Sequence, residues 1–275
     1  MFTNNRKPVI CSRKFRGLIT HIWEIRMKVC VCFKVVEDLE KVVPTDWQEF
    51  EGFPDTSYVG KIIGYFDEVA LELALRLKDN NEDISCTAVT LGEVPARLSK
   101  KIYAAGFDEV VCLDSSEVEF APKQVAQKLS DYLREEKFDL VITGKQTSRM
   151  DSGTVPIYLA SQMKLPIISN VLSCTLEETT LLVEHETDLG YHSSIVKMPL
   201  VLSVGNNDIP GLRLATFRAQ MEAGKRVDTH KEETKVEPLD HKLLKKQIKI
   251  CDFIDGDVNE QAKFIIDKIF KEVGP

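Results

Sequence analysis

The sequence lacks the features of several classes of protein. It has no run of about 18 apolar residues, so we expect no membrane span. It has no H-E-x-x-H, Cys-x-x-Cys or G-x-S-x-G motif, and neither a G-x-G-x-x-G nor a Walker A phosphate loop. The five histidines fall in no catalytic pattern. These absences argue against a hydrolase, and we expect no catalytic side chains and no metal ion.

The seven cysteines form no pattern typical of disulfides. Their number is odd, and four lie in apolar, strand-like runs, which favours reduced core thiols in a reducing compartment, the cytoplasm. Cys30 and Cys32 are two residues apart and should face the same side of one strand. No nearby histidine could complete a metal site with them.

Composition is that of a soluble globular protein, and the length permits one large α/β domain or a core domain with appendages. The 275 residues are 43% hydrophobic and 29% charged, and the net charge of −7 does not suggest nucleic acid or an anionic membrane as a partner. Residues 1–26 differ because they are basic and lack the apolar segment of a secretory signal. We interpret them as a disordered extension, or Met27 as the true start; a transit peptide is the alternative.

Strands and helices alternate in the first half. Apolar runs at 29–36, 85–91, 110–113 and 138–143 predict strands, and patterns at 67–78, 94–105, 123–136 and 154–162 predict helices. This alternation predicts a doubly wound, mostly parallel sheet with right-handed crossovers. The stretch 37–63 between the first strand and the first helix is predicted to be irregular.

The second half reads as antiparallel strands added to this core. Extended segments are predicted at 166–175, 181–187, 193–198 and 199–204, and a short helix at 215–224. The predicted units are an extension (1–26), an α/β domain with a partner-recognition loop (27–226), a charged linker or arm (227–247) and a strand–helix unit (248–275).

The stretch 138–162 is the strongest candidate for a site. A buried strand leads into Gly144 and Lys145, a small polar loop follows, and a helix begins near Thr154, with Asp151 or Ser152 as its predicted cap. This arrangement presents backbone N–H groups to a phosphate, although an ordinary strand–helix loop would look similar. Ligands of such sheets bind at the carboxyl ends of the strands. We therefore expect 32–34, 91–92 and 144–153 to meet in one crevice.

Several segments resemble the β (small) subunit of electron transfer flavoproteins. They are VCVCFKVVED after Met27, GYFDEVALELALRLK, LVITGKQTSRMDSGTVP, VEHETDLGYHSSIVKMPLVLS and NNDIPGLRLATFRAQM. The resemblance covers residues 27–226 and implies an adenine-nucleotide α-hydrolase-like fold. The C-terminal strand–helix looks more like the anaerobic, carnitine- or nitrogen-fixation-linked branch.

The resemblance implies an electron-carrier subunit without catalytic side chains of its own. It would form a heterodimer with an α subunit that holds FAD and would pass electrons between an acyl-CoA dehydrogenase-type enzyme and an acceptor. It would itself bind AMP or, in bifurcating members, a second FAD. Whether the heterodimer bifurcates electrons from NADH stays open.

The resemblance also assigns residues to the site. Arg213 and Phe217 match positions at the flavin interface and the partner loop. Gly64 and Tyr65 stand where the family usually has Asn-Pro, His185 where it has a basic residue, and His192 where it has an acid. The implied nucleotide contacts are Cys32, Phe33, Lys34, Gly64, Tyr65, Phe66, Asp67, Leu91, Thr143, Gly144, Lys145, Gln146, Asp151, Ser152, Gly153 and Thr154.

Two other functions share the fold. A stand-alone adenine-nucleotide regulator resembling universal stress proteins would bind ATP and homodimerise, but the antiparallel second half and the 205–226 segment argue against it. An ATP-using ligase would need a Gly-rich pyrophosphate loop after the first strand, and residues 33–38 lack one.

Overall fold

The computed structural model describes residues 27–43, 45–46, 56–114, 121–147, 152–231, 254 and 256–273, without the side chains of 269–273. The predictions made for residues 1–26 and 232–247, for the strand at 248–253 and for Asp151 lie outside the described residues.

A nine-stranded sheet forms the centre of the molecule. The predicted strands of the first half are present with ends shifted by a few residues, except that the first is divided in two. The strands of this sheet are β1 (Met27–Cys32), β4 (Ile84–Leu91), β5 (Glu109–Leu113), β6 (Leu140–Gly144), β7 (Ile167–Glu177), β8 (Thr180–Thr187), β9 (Gly190–Lys197), β10 (Leu200–Val204) and β11 (Thr229–Lys231). Their order across the sheet is β11-β5-β4-β1-β6-β10-β7-β8-β9.

The parallel part of the sheet is doubly wound around β1. Strand β1 pairs in parallel with β4 on one side and with β6 on the other. From β1 the chain moves outward through β4 and β5, and then returns to β6 and continues to β10. The strand order therefore reverses between β1 and β6, which is where open α/β sheets leave a crevice.

The antiparallel extension comprises β7, β8 and β9, which form a meander. Strand β10 departs from the prediction that all four segments of the second half are antiparallel. It lies between β6 and β7 and pairs in parallel with both, and all five of its residues are buried. Its uninterrupted apolar sequence suits a position covered on both faces, as expected of a parallel strand.

Helices cover both faces of the sheet. Alternate residues of β1 point to opposite sides: Val29 and Val31 pack with α1 and α2, whereas Cys30 and Cys32 pack with α3 and α4. The two cysteines thus share one face, as predicted. None of the described helices is long and apolar enough to cross a membrane. The helices are α1 (Tyr65–Asp79), α2 (Ala96–Ala105), α3 (Pro122–Glu136), α4 (Val155–Met163), α5 (Phe217–Ala223) and α6 (Val258–Val273).

A two-stranded ribbon lies in the stretch that was predicted to be irregular. Strand β2 (Val35–Glu37) pairs antiparallel with β3 (Lys61–Ile63), and a short 3-10 helix, Leu39–Lys41, follows β2. The predicted first strand, 29–36, is therefore two strands. Its apolar run is continuous, but the chain leaves β4 and β6 after Cys32 and pairs with β3 from Val35.

Strand β11 lies within the range that was predicted to be a linker. It adds in parallel to β5 at one end of the sheet. Its contacts are polar: the Thr229 hydroxyl donates to Glu109 Oε1 over 2.7 Å, and Lys231 Nζ lies 2.7 Å from Glu136 Oε1. Lys231 Nζ also lies 4.6 Å from the centre of the Tyr132 ring. These partners are distant in sequence, so the linker's charged composition did not indicate a strand.

Candidate functional site

A cavity of about 470 Å³ opens at the carboxyl ends of β1, β4 and β6. It lies at the reversal of strand order, and its volume is within the range of about 300–1,000 Å³ that is typical of small-molecule sites. The segments after the three strands, 32–35, 90–93 and 143–147, converge on it. The loop and helix start at 152–156 form a further wall.

The Asp67 carboxylate lines the cavity and ties two strand ends to α1. It is 4% exposed. Its Oδ2 accepts the backbone N–H of Lys34, which follows β1, at 2.9 Å, and the N–H of Gly144, at the end of β6, also bonds to this carboxylate. An aspartate at the start of a helix often caps it, but α1 begins two residues before Asp67, with Gly64 in the cap position. The carboxylate therefore accepts hydrogen bonds from backbone N–H groups at the ends of two strands.

Burial raises the pKa of Asp67 from 3.8 to about 7. The hydrogen bonds from the backbone of Lys34 and Gly144 and the nearby Lys34 charge favour the ionised form, but they only partly offset desolvation. A carboxyl group that titrates near neutrality thus lies against the cavity.

Gly144 is required by the close approach of α1 to β6. A Cβ at this position would lie 2.4 Å from Asp67 Oδ1, 3.0 Å from the Asp67 backbone N and 3.0 Å from the carbonyl carbon of Phe66. Such contacts are far inside van der Waals separation, so no larger residue fits unless α1 moves.

The loop before α4 presents small polar groups to the cavity. Thr154 occupies the N-cap position of α4, and its own side chain makes no capping hydrogen bond. Ser152, one of the two predicted caps, has its hydroxyl 3.1 Å from the Thr154 hydroxyl instead. Gly153 has a φ of +59°, which an L side chain rarely adopts. Thr154, Val155 and Pro156 line the cavity, so the start of α4 faces it, with N–H donors on Thr154 and Val155 but none on Pro156.

The walls of the cavity include groups that sequence reasoning did not find. Pro122, Val125 and Leu129 of α3 supply an apolar wall, and their i, i+3, i+7 spacing could have indicated it. Glu37 and Lys61 come from the β2–β3 ribbon, which was not predicted.

Most residues proposed for the site share this one cavity. Three do not line it: the Gly64 N–H donates to the Lys34 carbonyl at 3.2 Å, and the rings of Tyr65 and Phe66 stack edge to face, 5.4 Å apart. The proposed residues that do line the cavity are Cys32, Phe33, Lys34, Asp67, Leu91, Thr143, Gly144, Lys145, Gln146, Ser152, Gly153 and Thr154.

The lining is suited to binding. Its charged members are three lysines and three acids, and no histidine is among the described lining residues. Burial raises the pKa of the Cys86 thiol to about 12 and that of Cys30 well above its usual range, so these thiols stay protonated. No cluster of three or more metal-ligating side chains occurs in the part of the chain that the structure describes.

A second surface carries the two predicted interface residues. Phe217, the first residue of α5, is 78% exposed, and Leu214 and Met221 are exposed beside it in sequence. Phe217 and Met221 are four residues apart on α5 and so lie on one side of the helix, and Leu214 precedes them in an irregular segment. We refer to Leu214, Phe217 and Met221 as the docking stripe. Arg213, immediately before it, contacts carboxylates of α1.

Comparison with known proteins finds a matching family model and relatives that agree with it. The family model for the electron transfer flavoprotein domain matches residues 55–250. YgcR of Escherichia coli K12, a candidate electron transfer flavoprotein subunit, is 28% identical over 204 residues, which cover 72% of this chain and 79% of that protein. The electron transfer flavoprotein subunit beta of Megasphaera elsdenii is 28% identical over 212 residues, 73% of this chain and 76% of that protein.

Proposed function

Because this chain belongs to the electron transfer flavoprotein family, as a β-like member, we propose that it is the small subunit of a heterodimeric electron carrier. An α subunit would hold the FAD that accepts and releases electrons. The flavin supplies the redox chemistry, and the protein positions it and adjusts its environment.

We propose that the cavity binds an adenine nucleotide, either AMP or the adenylate part of a second FAD. The observation that carries this proposal is the meeting of the β1, β4 and β6 ends with the start of α4 in one cavity. The N–H groups at the start of α4, with the Ser152 and Thr154 hydroxyls, suit a phosphate, and Lys145 adds a positive charge. The backbone after β1 and β4 and the apolar wall of α3 suit an adenine ring.

The docking stripe is our candidate surface for a redox partner, an acyl-CoA dehydrogenase-type enzyme. Three exposed apolar side chains within eight residues of one segment are typical of an interface anchor, where a large side chain fills a pocket of the partner. Phe217 is the largest of them and the best candidate for that anchor.

We also propose the branch of the family to which the chain belongs, and this proposal rests on the C-terminal unit. The described part of the C-terminal unit is α6, whose apolar residues recur at 258, 262, 265, 266, 269, 270 and 273. Val258, Ile265 and Ile266 are exposed. We propose that this face packs on the α subunit, as the resemblance to the anaerobic, carnitine- or nitrogen-fixation-linked branch suggests.

Co-expression tests the carrier proposal. The chain should be purified alone and with a flavin-binding α subunit encoded beside it, and visible spectra recorded. We expect a yellow heterodimer on co-expression. A colourless homodimer that binds ATP, with no complex formed, would contradict the proposal and favour a stand-alone regulator.

Nucleotide identity is tested by extraction. The purified heterodimer is denatured in acid, and the released nucleotides are identified by mass and quantified per heterodimer. One FAD with one AMP supports an AMP-binding carrier, whereas two FAD support a bifurcating one. A single FAD with no second adenylate would contradict nucleotide binding in the cavity.

A further inference from the structure

Arg213 contacts two carboxylates of the neighbouring helix. Its Nε lies 2.9 Å from Glu72 Oε2 and 3.2 Å from Oε1, and Nη2 lies 2.9 Å from Glu72 Oε1. Nη1 and Nη2 lie 3.0 and 2.7 Å from the Asp79 carboxylate. Hydrogen bonds with Glu72, followed by those with Asp79, raise the pKa of Arg213, so the guanidinium stays charged. The planar fork of an arginine is suited to such two-sided contacts.

Helix α1 also binds the backbone N–H groups of Leu212 and Arg213. Glu68 Oε2 accepts the N–H of Leu212 at 3.3 Å, and Glu72 Oε2 accepts the N–H of Arg213 at 3.1 Å. At Gly211, φ is +130° and a Cβ would lie 2.7 Å from Glu68 Oε2, so the backbone passes directly over α1. Two consecutive residues, Leu212 and Arg213, are thus held by carboxylates one helical turn apart.

The docking stripe begins at the next residue. Leu214 is 95% exposed, whereas Leu212 is buried and the Glu72 carboxylate is almost fully covered. The chain therefore changes from a hydrogen-bonded backbone at Leu212 and Arg213 to an exposed side chain at Leu214. The contacts of Arg213 fix the backbone where the stripe begins, and Ala215 and Ala223 pack against the core further along the segment.

We propose that Arg213, together with Glu72 and Asp79, is a positioning unit for the docking stripe, and that Arg213 does not act on the flavin directly. This inference rests on the proposed function, because it assumes that the stripe meets a redox partner. It replaces the role that the family resemblance implies for Arg213, a cation facing the flavin. A guanidinium engaged by two carboxylates of its own chain has its charge largely balanced there, which leaves little to stabilise an anionic flavin.

Conservative variants test the positioning unit. Glu72→Gln and Arg213→Lys weaken the contact between the Arg213 guanidinium and its carboxylates, which we call the fork, while retaining size and hydrogen-bonding groups. Asp79→Asn weakens the same contact at its more exposed carboxylate and replaces Glu72→Gln if that variant does not fold. Arg218→Lys is the matched control, since Arg218 lies on α5, is 90% exposed in its side chain and pairs only locally, with Glu222.

Hydrogen exchange of residues 212–223 and the flavin midpoint potential are measured in the co-expressed heterodimer. We expect exchange to be about tenfold faster in Glu72→Gln and Arg213→Lys, unchanged in Arg218→Lys, and the potential unchanged in all three. The double variant should show little further effect, because both changes break one interaction. Unchanged exchange in both fork variants would overturn the proposal, as would a shifted potential in Arg213→Lys that Glu72→Gln lacks.

The outcomes also separate this inference from the proposed function. If the native chain binds no flavin subunit, the carrier proposal fails, yet exchange of residues 212–223 in the full chain still tests the fork. If the flavin is present and exchange does not respond to the fork variants, only the positioning proposal fails.

Discussion

At the scale of single residues, Asp67 joins the fold to the cavity. Its carboxylate is buried beside the ligand space, and its bonds to Lys34 and Gly144 cross between secondary-structure elements. A substitution of Asp67 that removes these hydrogen bonds should therefore change the part of the cavity that the backbone of Lys34 and Gly144 forms.

The pKa of Asp67 predicts how stability changes with pH. The folded pKa of about 7 lies above the unfolded value of 3.8, so the folded state binds a proton that the unfolded state has released. Stability from this group is full below about pH 4 and falls as the pH rises to 7, by about 4 kcal/mol. Asp67→Asn should lack this fall. Urea unfolding of both proteins at pH 4, 5, 6, 7 and 8 measures it, and parallel profiles would show that Asp67 does not titrate in this range.

Gly144→Ala should destabilise the protein by about 2–3 kcal/mol, because the added methyl group must displace the start of α1. Gly224→Ala is the control, since a Cβ there meets nothing nearer than 3.6 Å. Thermal or denaturant unfolding measures both. Equal stabilities for the two variants would mean that α1 is less firmly held against β6 than the distances indicate.

At the scale of elements, the docking stripe carries a kinetic prediction. Phe217→Ala should lower the rate at which an acyl-CoA dehydrogenase, reduced with its acyl-CoA, reduces the flavin of the heterodimer, by about tenfold. The flavin spectrum should not change. Val227→Ala removes an equally exposed apolar side chain outside the stripe and serves as control. If the two variants react at the same rate, Phe217 does not belong to the docking surface.

Elements with a strong local pattern were predicted from the sequence, and those held by distant partners were not. Strand β6 and helix α1 have apolar residues at the spacing of their own structure, so their positions follow from sequence alone. Strand β11 has the sequence Thr-His-Lys and exists through Glu109, Glu136 and β5, which lie about a hundred residues away. The apolar sequence of β10 suits a strand covered on both faces, but its place between β6 and β7 depends on pairing with strands distant in sequence.

The residues of the cavity likewise include some that the sequence predicts and some that it does not. Convergence of the β1, β4 and β6 ends follows from the βαβ topology, and these segments do line one cavity. The apolar wall from α3 could have been found from its helical spacing, whereas the ribbon residues Glu37 and Lys61 required knowledge of how the stretch between them folds back. The role of Asp67 was missed because its partner Lys34 lies 33 residues away, and a capping aspartate looks the same in sequence.

At the scale of the whole molecule, nucleotide binding should raise the free energy of unfolding of the protein. AMP at 100 times its dissociation constant should stabilise the folded chain by about 2.7 kcal/mol. For a chain of this size that corresponds to a rise in the melting temperature of about 5–10 °C. Differential scanning fluorimetry measures it, with CMP as the control that keeps ribose and phosphate but changes the base. Equal shifts with both nucleotides would mean that the cavity does not recognise adenine.

The contact between Gly144 and Asp67 has an evolutionary consequence. Since the space for a side chain at position 144 is taken by the carboxylate at position 67, the two sites cannot change independently. Across the relatives of this chain, any homologue with alanine or serine in place of the glycine should carry a smaller residue opposite it. An alignment in which the two columns drift separately would show that other lineages keep these two elements further apart.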